Sequence, residues 1–109
     1  MIIRLVRLPT SPERLPRLKA VLADVMPTVR QQPGCTHLEL LADHDQPCVL
    51  FTLSHWQSDA DLQRYRKSEV FGKVWPRLKA ELSEKPSAVS LVSPGTTTDE
   101  AANNGSVQV

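Results

Sequence analysis

Two thiols and two imidazoles, Cys35, His37, His44 and Cys48, stand close together in the chain and are of the types that hold zinc or pair for nucleophilic attack. Whether they can do either depends on where the backbone carries them. Segments 35–42 and 48–56 read as two strands joined by the turn chemistry of "DHDQP". Pairing them about Asp45 puts Cys35 opposite the neighbourhood of His55 and leaves Cys48 beside the turn. At ~3.3 Å per residue the two thiols are then roughly 20 Å apart, too far for a disulfide or a common metal ion. No metal site is expected, and free cysteines of a reducing compartment are the simpler reading. The same register allows a Cys35–His55 pair, yet no third orienting group or oxyanion loop accompanies it. His37, Glu39 and His55 share one alternation phase of the hairpin and are the candidates for a general base. The sequence leaves open which way that phase points; if it turns toward a partner surface, the catalytic reading weakens.

The second concentration of chemistry is aromatic. Trp56, Tyr65, Phe71 and Trp75 all lie in "HWQSDADLQRYRKSEVFGKVW", with Phe51 just before it, and the chain has no other aromatic residue. Phe71, Trp75, Leu78 and Leu82 recur at helical spacing, which by itself means core packing. Trp56 and Tyr65 each carry a polar handle that needs a partner when buried, so they fit a pocket better. Arg64, Arg66 and Lys67 read as a solvated face, from which one side chain could grip an anionic ligand.

These side chains must be held by a small set of elements. "IIRLVRL" (2–8) reads as a strand closed by Pro9, after which Ser11 is the expected N-cap and Pro12 the first residue of a helix. Leu15, Leu18, Leu22, Val25 and Val29 form its apolar stripe, Pro27 should bend its last turns, and "PG" at 33–34 ends it. Both alternation phases of the hairpin carry apolar residues, so one sheet face should take helices and the other should need a partner. Ser58 with Asp61 resembles a capping box opening the next helix; Ser68 can cap a further turn, and Pro76 can begin a last helical stretch. "SAVSLV" (87–92) is a final strand. The order is β-α-β-β-α-β, a ferredoxin-like α+β fold with a four-stranded antiparallel sheet over residues 1–92, and 93–109 read as a disordered polar tail.

Composition removes several classes. A chain of 109 residues with 40% hydrophobic and 23% charged residues and a formal charge of +1 has no basic excess for nucleic acid or an anionic membrane. An RNA-recognition domain shares the strand order but needs exposed aromatics inside its central strands, where only Phe51 stands. Glycine is too scarce for a phosphate-cradling loop, and no apolar run approaches a membrane span. "MIIRLVRL" is too short and too interrupted for a signal peptide, so the expected location is the cytoplasm.

"QQPGC" (31–35) ahead of the hairpin, followed by "HWQSDADLQRYRKSEVF" (55–71), resembles the antibiotic biosynthesis monooxygenase domain of the dimeric α/β-barrel superfamily. The shared pattern is Pro-Gly-Cys leading into the second strand, a Trp ending the third, and Ser, acidic and aromatic positions before a Ser-x-x-Phe step. The resemblance implies a homodimer whose sheets pack face to face, with a pocket between each sheet and its own helices. It also implies oxidation of a small quinol, phenol or anthrone-like substrate by O2, with no metal, flavin or other cofactor; a non-catalytic binding or stress-response protein on the same scaffold is the alternative. Under it Tyr65, Trp56 and His55 are the candidate catalytic residues, and Phe51, Phe71, Trp75, His37 and Arg66 the candidate substrate-binding residues. A haem-degrading branch of the superfamily carries an Asn, a Trp and a haem-ligating His at positions that fall here on or near Arg7, Tyr65 and Trp75. An indole cannot take the imidazole's place on iron, so haem degradation by that route is not expected.

Overall fold

The computed structural model describes residues 1–94, so most of the tail expected from 93 onward lies outside the described residues. Its elements are β1 (Ile2–Pro9), α1 (Leu15–Arg30), β2 (Cys35–Ala42), β3 (Val49–Trp56), α2 (Asp59–Arg66), α3 (Glu69–Lys79) and β4 (Ser87–Leu91). The strands form one antiparallel sheet in the order β2-β3-β1-β4, the ferredoxin-like arrangement. Among the described residues no helix is long and apolar enough to cross a membrane.

Two helix boundaries differ from expectation, and proline explains both. Ser11 does not cap α1, which begins at Leu15 behind Arg14. Pro12 and Pro16 stand four apart, so Pro16 has no N–H to return to the Pro12 carbonyl, and a regular ladder can start only beyond that point. Ser11 instead offers its carbonyl to the N–H groups of Arg14 and Leu15 at 3.1 and 2.8 Å, closing a turn ahead of the helix. Pro76 does not begin a new helix: α3 runs from the Ser68 cap through Pro76 to Lys79. The break falls earlier, at Lys67 and Ser68, where the sequence places the Ser68 cap, and it separates α2 from α3.

The hairpin register is His37↔His55, Leu38↔Ser54 and Glu39↔Leu53, with a bulge between Cys35 and His37 that sets Cys35 opposite Trp56. Thr36 is the extra residue. It turns Cys35 onto the sheet face that carries the helices, where the thiol packs against the core. At the hairpin's base the Gly34 carbonyl accepts from the Gln57 N–H at 2.8 Å. Gly34 has φ +87°, and a Cβ there would run into the Asp61 side chain; only glycine fits both demands.

The helices cover one face of the sheet. Leu18, Leu22, Val25, Met26 and Val29 of α1 meet Leu8, Leu38 and Leu50 of the sheet, with Val74, Leu78 and Leu82 closing the layer. The turn after α3 is tied to the β1–α1 junction: the Thr10 hydroxyl donates to the Glu81 carbonyl at 2.6 Å, and Arg14 Nη1 to the Leu82 carbonyl at 2.7 Å. The opposite face is lined by the other alternation phase, including Ile3, Leu5, Leu41, Phe51, Leu53 and Val89. None of those residues belongs to the core, and Leu41 and Val89 stay 39% and 45% exposed. This is the uncovered face that the two-phase hairpin predicts.

Candidate functional site

The two serines anticipated as caps position the aromatic residues. Ser58 Oγ accepts from the Asp61 N–H at 3.1 Å and donates to Asp61 Oδ2 at 3.0 Å, and Arg64 Nη1 donates to Asp61 Oδ1 at 2.8 Å. That knot fixes the first turn of α2 against Gly34 and so fixes where Tyr65, two turns later, projects. Ser68 Oγ accepts from the Phe71 N–H at 3.2 Å and donates to the Tyr65 carbonyl at 2.6 Å. One hydroxyl thus ties the end of α2 to the start of α3 and sets Phe71 relative to Tyr65.

The result is a continuous run of rings. Trp56 stacks on Tyr65 with centroids 5.2 Å apart, Tyr65 meets Phe71 edge-on at 5.3 Å, and Phe71 stacks on Trp75 at 6.1 Å. Trp56 is 1% exposed, and its indole N–H donates to Ser54 Oγ at 2.9 Å, so its polar handle is satisfied inside the fold. These rings wall a cavity of about 360 Å³ between the sheet and the helices, within the range of small-molecule sites. Val6, Leu8, Thr52 and Ser54 form the sheet side, Leu22, Val25, Met26 and Val29 the α1 side. Arg4, Arg66, Ser87 and Ala88 also line it, and the exposure of Arg66, Ser87 and Ala88 marks the open end.

The electrostatics follow from burial. Tyr65 is pushed up to about 12, chiefly by burial and secondarily by the Cys35 thiol, so its hydroxyl is a proton donor at neutral pH and not a base. Cys35 is itself raised by burial, against the opposing pull of the His37 carbonyl that its Sγ faces at 3.6 Å. Among the described residues no protein group accepts from the Tyr65 hydroxyl, which leaves it available to a ligand. Arg4 is lowered, first by burial and then by Arg66, with Asp59 pulling the other way.

Of the residues singled out from the sequence, Trp56, Tyr65, Phe71, Trp75 and Arg66 come together in this cavity. His37, His55 and Phe51 do not. Their strand phase is the one turned away from the helices: His37 and His55 meet edge-on at 5.0 Å, His37 Nε2 lies 3.0 Å from Glu39 Oε1, and Phe51 borders a shallow depression with Leu5, Arg7 and Val89. Among the described residues the lining contains no imidazole, carboxylate or thiol. Among the described residues no three His, Cys, Asp or Glu side chains are grouped as a metal set, and both cysteines are free. Tyr65 and Trp75 line the cavity, but Arg7, the third position matched to the haem-degrading branch, borders the depression on the other face. Sequence reasoning missed Arg4, Thr52 and Ser54. No signal could have found Arg4, because both phases of "IIRLVRL" pair apolar residues with one arginine, and only packing against the helices separates Arg4, Val6 and Leu8 from Ile3, Leu5 and Arg7.

Comparison with known proteins supplies an independent line. The profile of the antibiotic biosynthesis monooxygenase family matches residues 1–75. A candidate antibiotic biosynthesis monooxygenase of Deinococcus radiodurans superposes with a TM-score of 0.78 at 19% identity, over 88% of this chain and 95% of its own. One from Nitrosomonas europaea gives 0.77 at 12% identity, over 86% and 99%. A conserved protein of Methanosarcina mazei gives 0.76 at 18% identity, over 84% and 91%. At these identities the structures attest the fold alone. No curated protein matches the sequence.

Proposed function

We infer, from the premise that this chain belongs to the antibiotic biosynthesis monooxygenase family, that it oxidises a small quinol-, phenol- or anthrone-like substrate with O2 in the cavity between sheet and helices. The observation that carries this reading is a cavity walled by four aromatic rings whose Tyr65 hydroxyl is protonated and has no acceptor among the described residues. Flat aromatic walls take a flat aromatic substrate, and the free hydroxyl donates to its oxygen.

In such a reaction the substrate supplies the electrons. Ionised at a phenol or at the methylene of an anthrone, it gives one electron to O2, and recombination of the radical with superoxide forms the new C–O bond. After protonation of the peroxide, loss of water leaves a carbonyl. A methylene becomes C=O, one oxygen atom stays in the product, and the other departs as water with both methylene hydrogens. Tyr65 steadies the substrate oxyanion by a hydrogen bond, the positive charge of Arg4 and Arg66 favours the ionised form, and the ring walls keep water from the radical pair. No cofactor is proposed.

The uncovered sheet face is proposed to receive a second copy of the chain, sheet against sheet, as the antibiotic biosynthesis monooxygenase resemblance implies. The folded unit proposed for this is residues 1–92, and the proposed location is the cytoplasm, in keeping with two free cysteines.

A second reading is a binding protein without turnover. It is favoured by one observation: His37, Glu39 and His55, the candidate bases, share the strand phase opposite the cavity. Oxygen uptake with a panel of hydroquinones and anthrones separates the two. Protein-dependent uptake that falls in Tyr65→Phe and Trp56→Phe supports oxidation; ligand binding with no uptake across the panel supports the binding protein.

A further inference from the structure

The open end of the cavity is positive. Arg4 and Arg66 both line it, and among the described residues no aspartate or glutamate does. Three other arginines find carboxylates, Arg17 with Glu81 at 3.2 Å, Arg64 with Asp61 at 2.8 Å and Arg77 with Asp24 at 2.7 Å, while Arg14 and Arg30 donate to backbone carbonyls. Arg4 and Arg66 form no such pair among the described residues. Each is held by a neutral acceptor instead, Arg4 Nη1 donating to Ser90 Oγ at 2.9 Å and Arg66 Nη1 to Gln63 Oε1 at 3.2 Å. Arg66 holds the Arg4 guanidinium down, and Asp59 pulls the other way as the smaller influence.

Two like charges at the mouth of an apolar cavity are a cost to the empty protein, because they repel one another and the half-buried Arg4 is partly stripped of water. A planar oxyanion removes that cost. Guanidinium groups match a carboxylate in shape and charge and give stronger hydrogen bonds to it than to a neutral oxygen. Their anchors on different elements, β1 and the last residue of α2, make the grip depend on the same fold that sets the ring walls.

We propose that the substrate is an aromatic acid, its ring system held between Trp56, Tyr65, Phe71 and Trp75 and its carboxylate held at the mouth by Arg4 and Arg66. This rests on the aromatic-cavity reading above and adds the charge of the substrate to it. Catalysis then acts on a substrate that is oriented from one end, with the ring atoms next to Tyr65.

Calorimetric titration of the full chain with 1-hydroxy-2-naphthoic acid and with its methyl ester tests the proposal, since the pair differ in charge but not in ring. The acid is expected to bind at least ~10-fold more tightly than the ester, a preference that shrinks as salt is raised. Arg4→Gln and Arg66→Gln are expected to bring the ratio of the two affinities toward unity. Equal binding of acid and ester by the unaltered protein overturns the acid assignment and leaves the aromatic cavity standing. Binding of neither overturns both. A preference that survives in both variants overturns the role given to the arginines. The unaltered protein's own ratio and salt dependence decide the main point if a variant fails to fold.

Discussion

Tyr65 is the only tyrosine in the chain, which allows its ionisation to be followed without assignment. Its hydroxyl is pushed up to about 12, chiefly by burial, while an unfolded chain ionises near the ordinary value of ~10. The folded state therefore holds this proton more tightly than the unfolded state. The sign follows: the stabilisation is fully present below the unfolded value and is lost as pH rises through the folded one. By a pH of ~11 the unfolded tyrosine is mostly ionised and the folded one is not, which shifts the folding equilibrium about tenfold, or ~1.4 kcal/mol. Because the ring is not wholly enclosed, solvent screening brings the expected effect to ~1 kcal/mol. Lysines also titrate in this range, so the measurement is the difference between the native protein and Tyr65→Phe in denaturant midpoints over the alkaline range. The native protein should lose ~1 kcal/mol relative to the variant by pH ~11. Tyrosinate absorbance gives the direct check, and a folded-state step centred at the ordinary value would refute the assignment of Tyr65 as a buried, protonated donor.

Three further outcomes follow from the structure. Gly34→Ala meets both a left-handed backbone and the Asp61 side chain, and should cost ~2–3 kcal/mol in chemical denaturation; an unchanged midpoint would show that the Asp61 knot yields without penalty. Ser68→Ala removes the hydroxyl that joins α2 to α3, with an expected loss of ~1 kcal/mol and weaker binding of aromatic ligands, read by calorimetry. The native chain should scatter light as a dimer at micromolar concentration and Leu53→Asp as a monomer, since the substitution puts a charge in the centre of the uncovered face. A monomeric mass for the native chain would sink the face-to-face dimer.

Much of the fold was legible because its rules are local. Ser58 and Ser68 announce helix starts by residue type and by the groups three positions on, and both cap as their surroundings predict. The hairpin was legible from turn chemistry and alternation. Ser11 and Pro76 misled because capping and proline preferences are local, whereas the start of α1 depends on Pro12 and Pro16 together, and α3 tolerates Pro76 because packing of Val74 and Leu78 holds the helix on both sides of it. The site divides the same way. Phe71 and Trp75 could be placed on one helix face from their spacing, whereas Tyr65, on the helix before the Ser68 break, could not be placed beside them by spacing. Which face of β3 lines the cavity could not be read either, because both phases of "VLFTL" are apolar, and only packing against α1 and α3 distinguishes Leu50, Thr52 and Ser54 from Phe51 and Leu53.

The run of rings from Trp56 to Trp75 also makes the protein its own optical probe. Both tryptophans of the chain and its one tyrosine stand in that run, and the opposite sheet face carries none of the three. Intrinsic fluorescence therefore originates at the cavity, and an aromatic guest that quenches it by contact sits beside these indoles. Association of two copies through the other face is expected to leave the emission nearly dark to the event, so occupancy and assembly can be read on separate channels in one untagged sample.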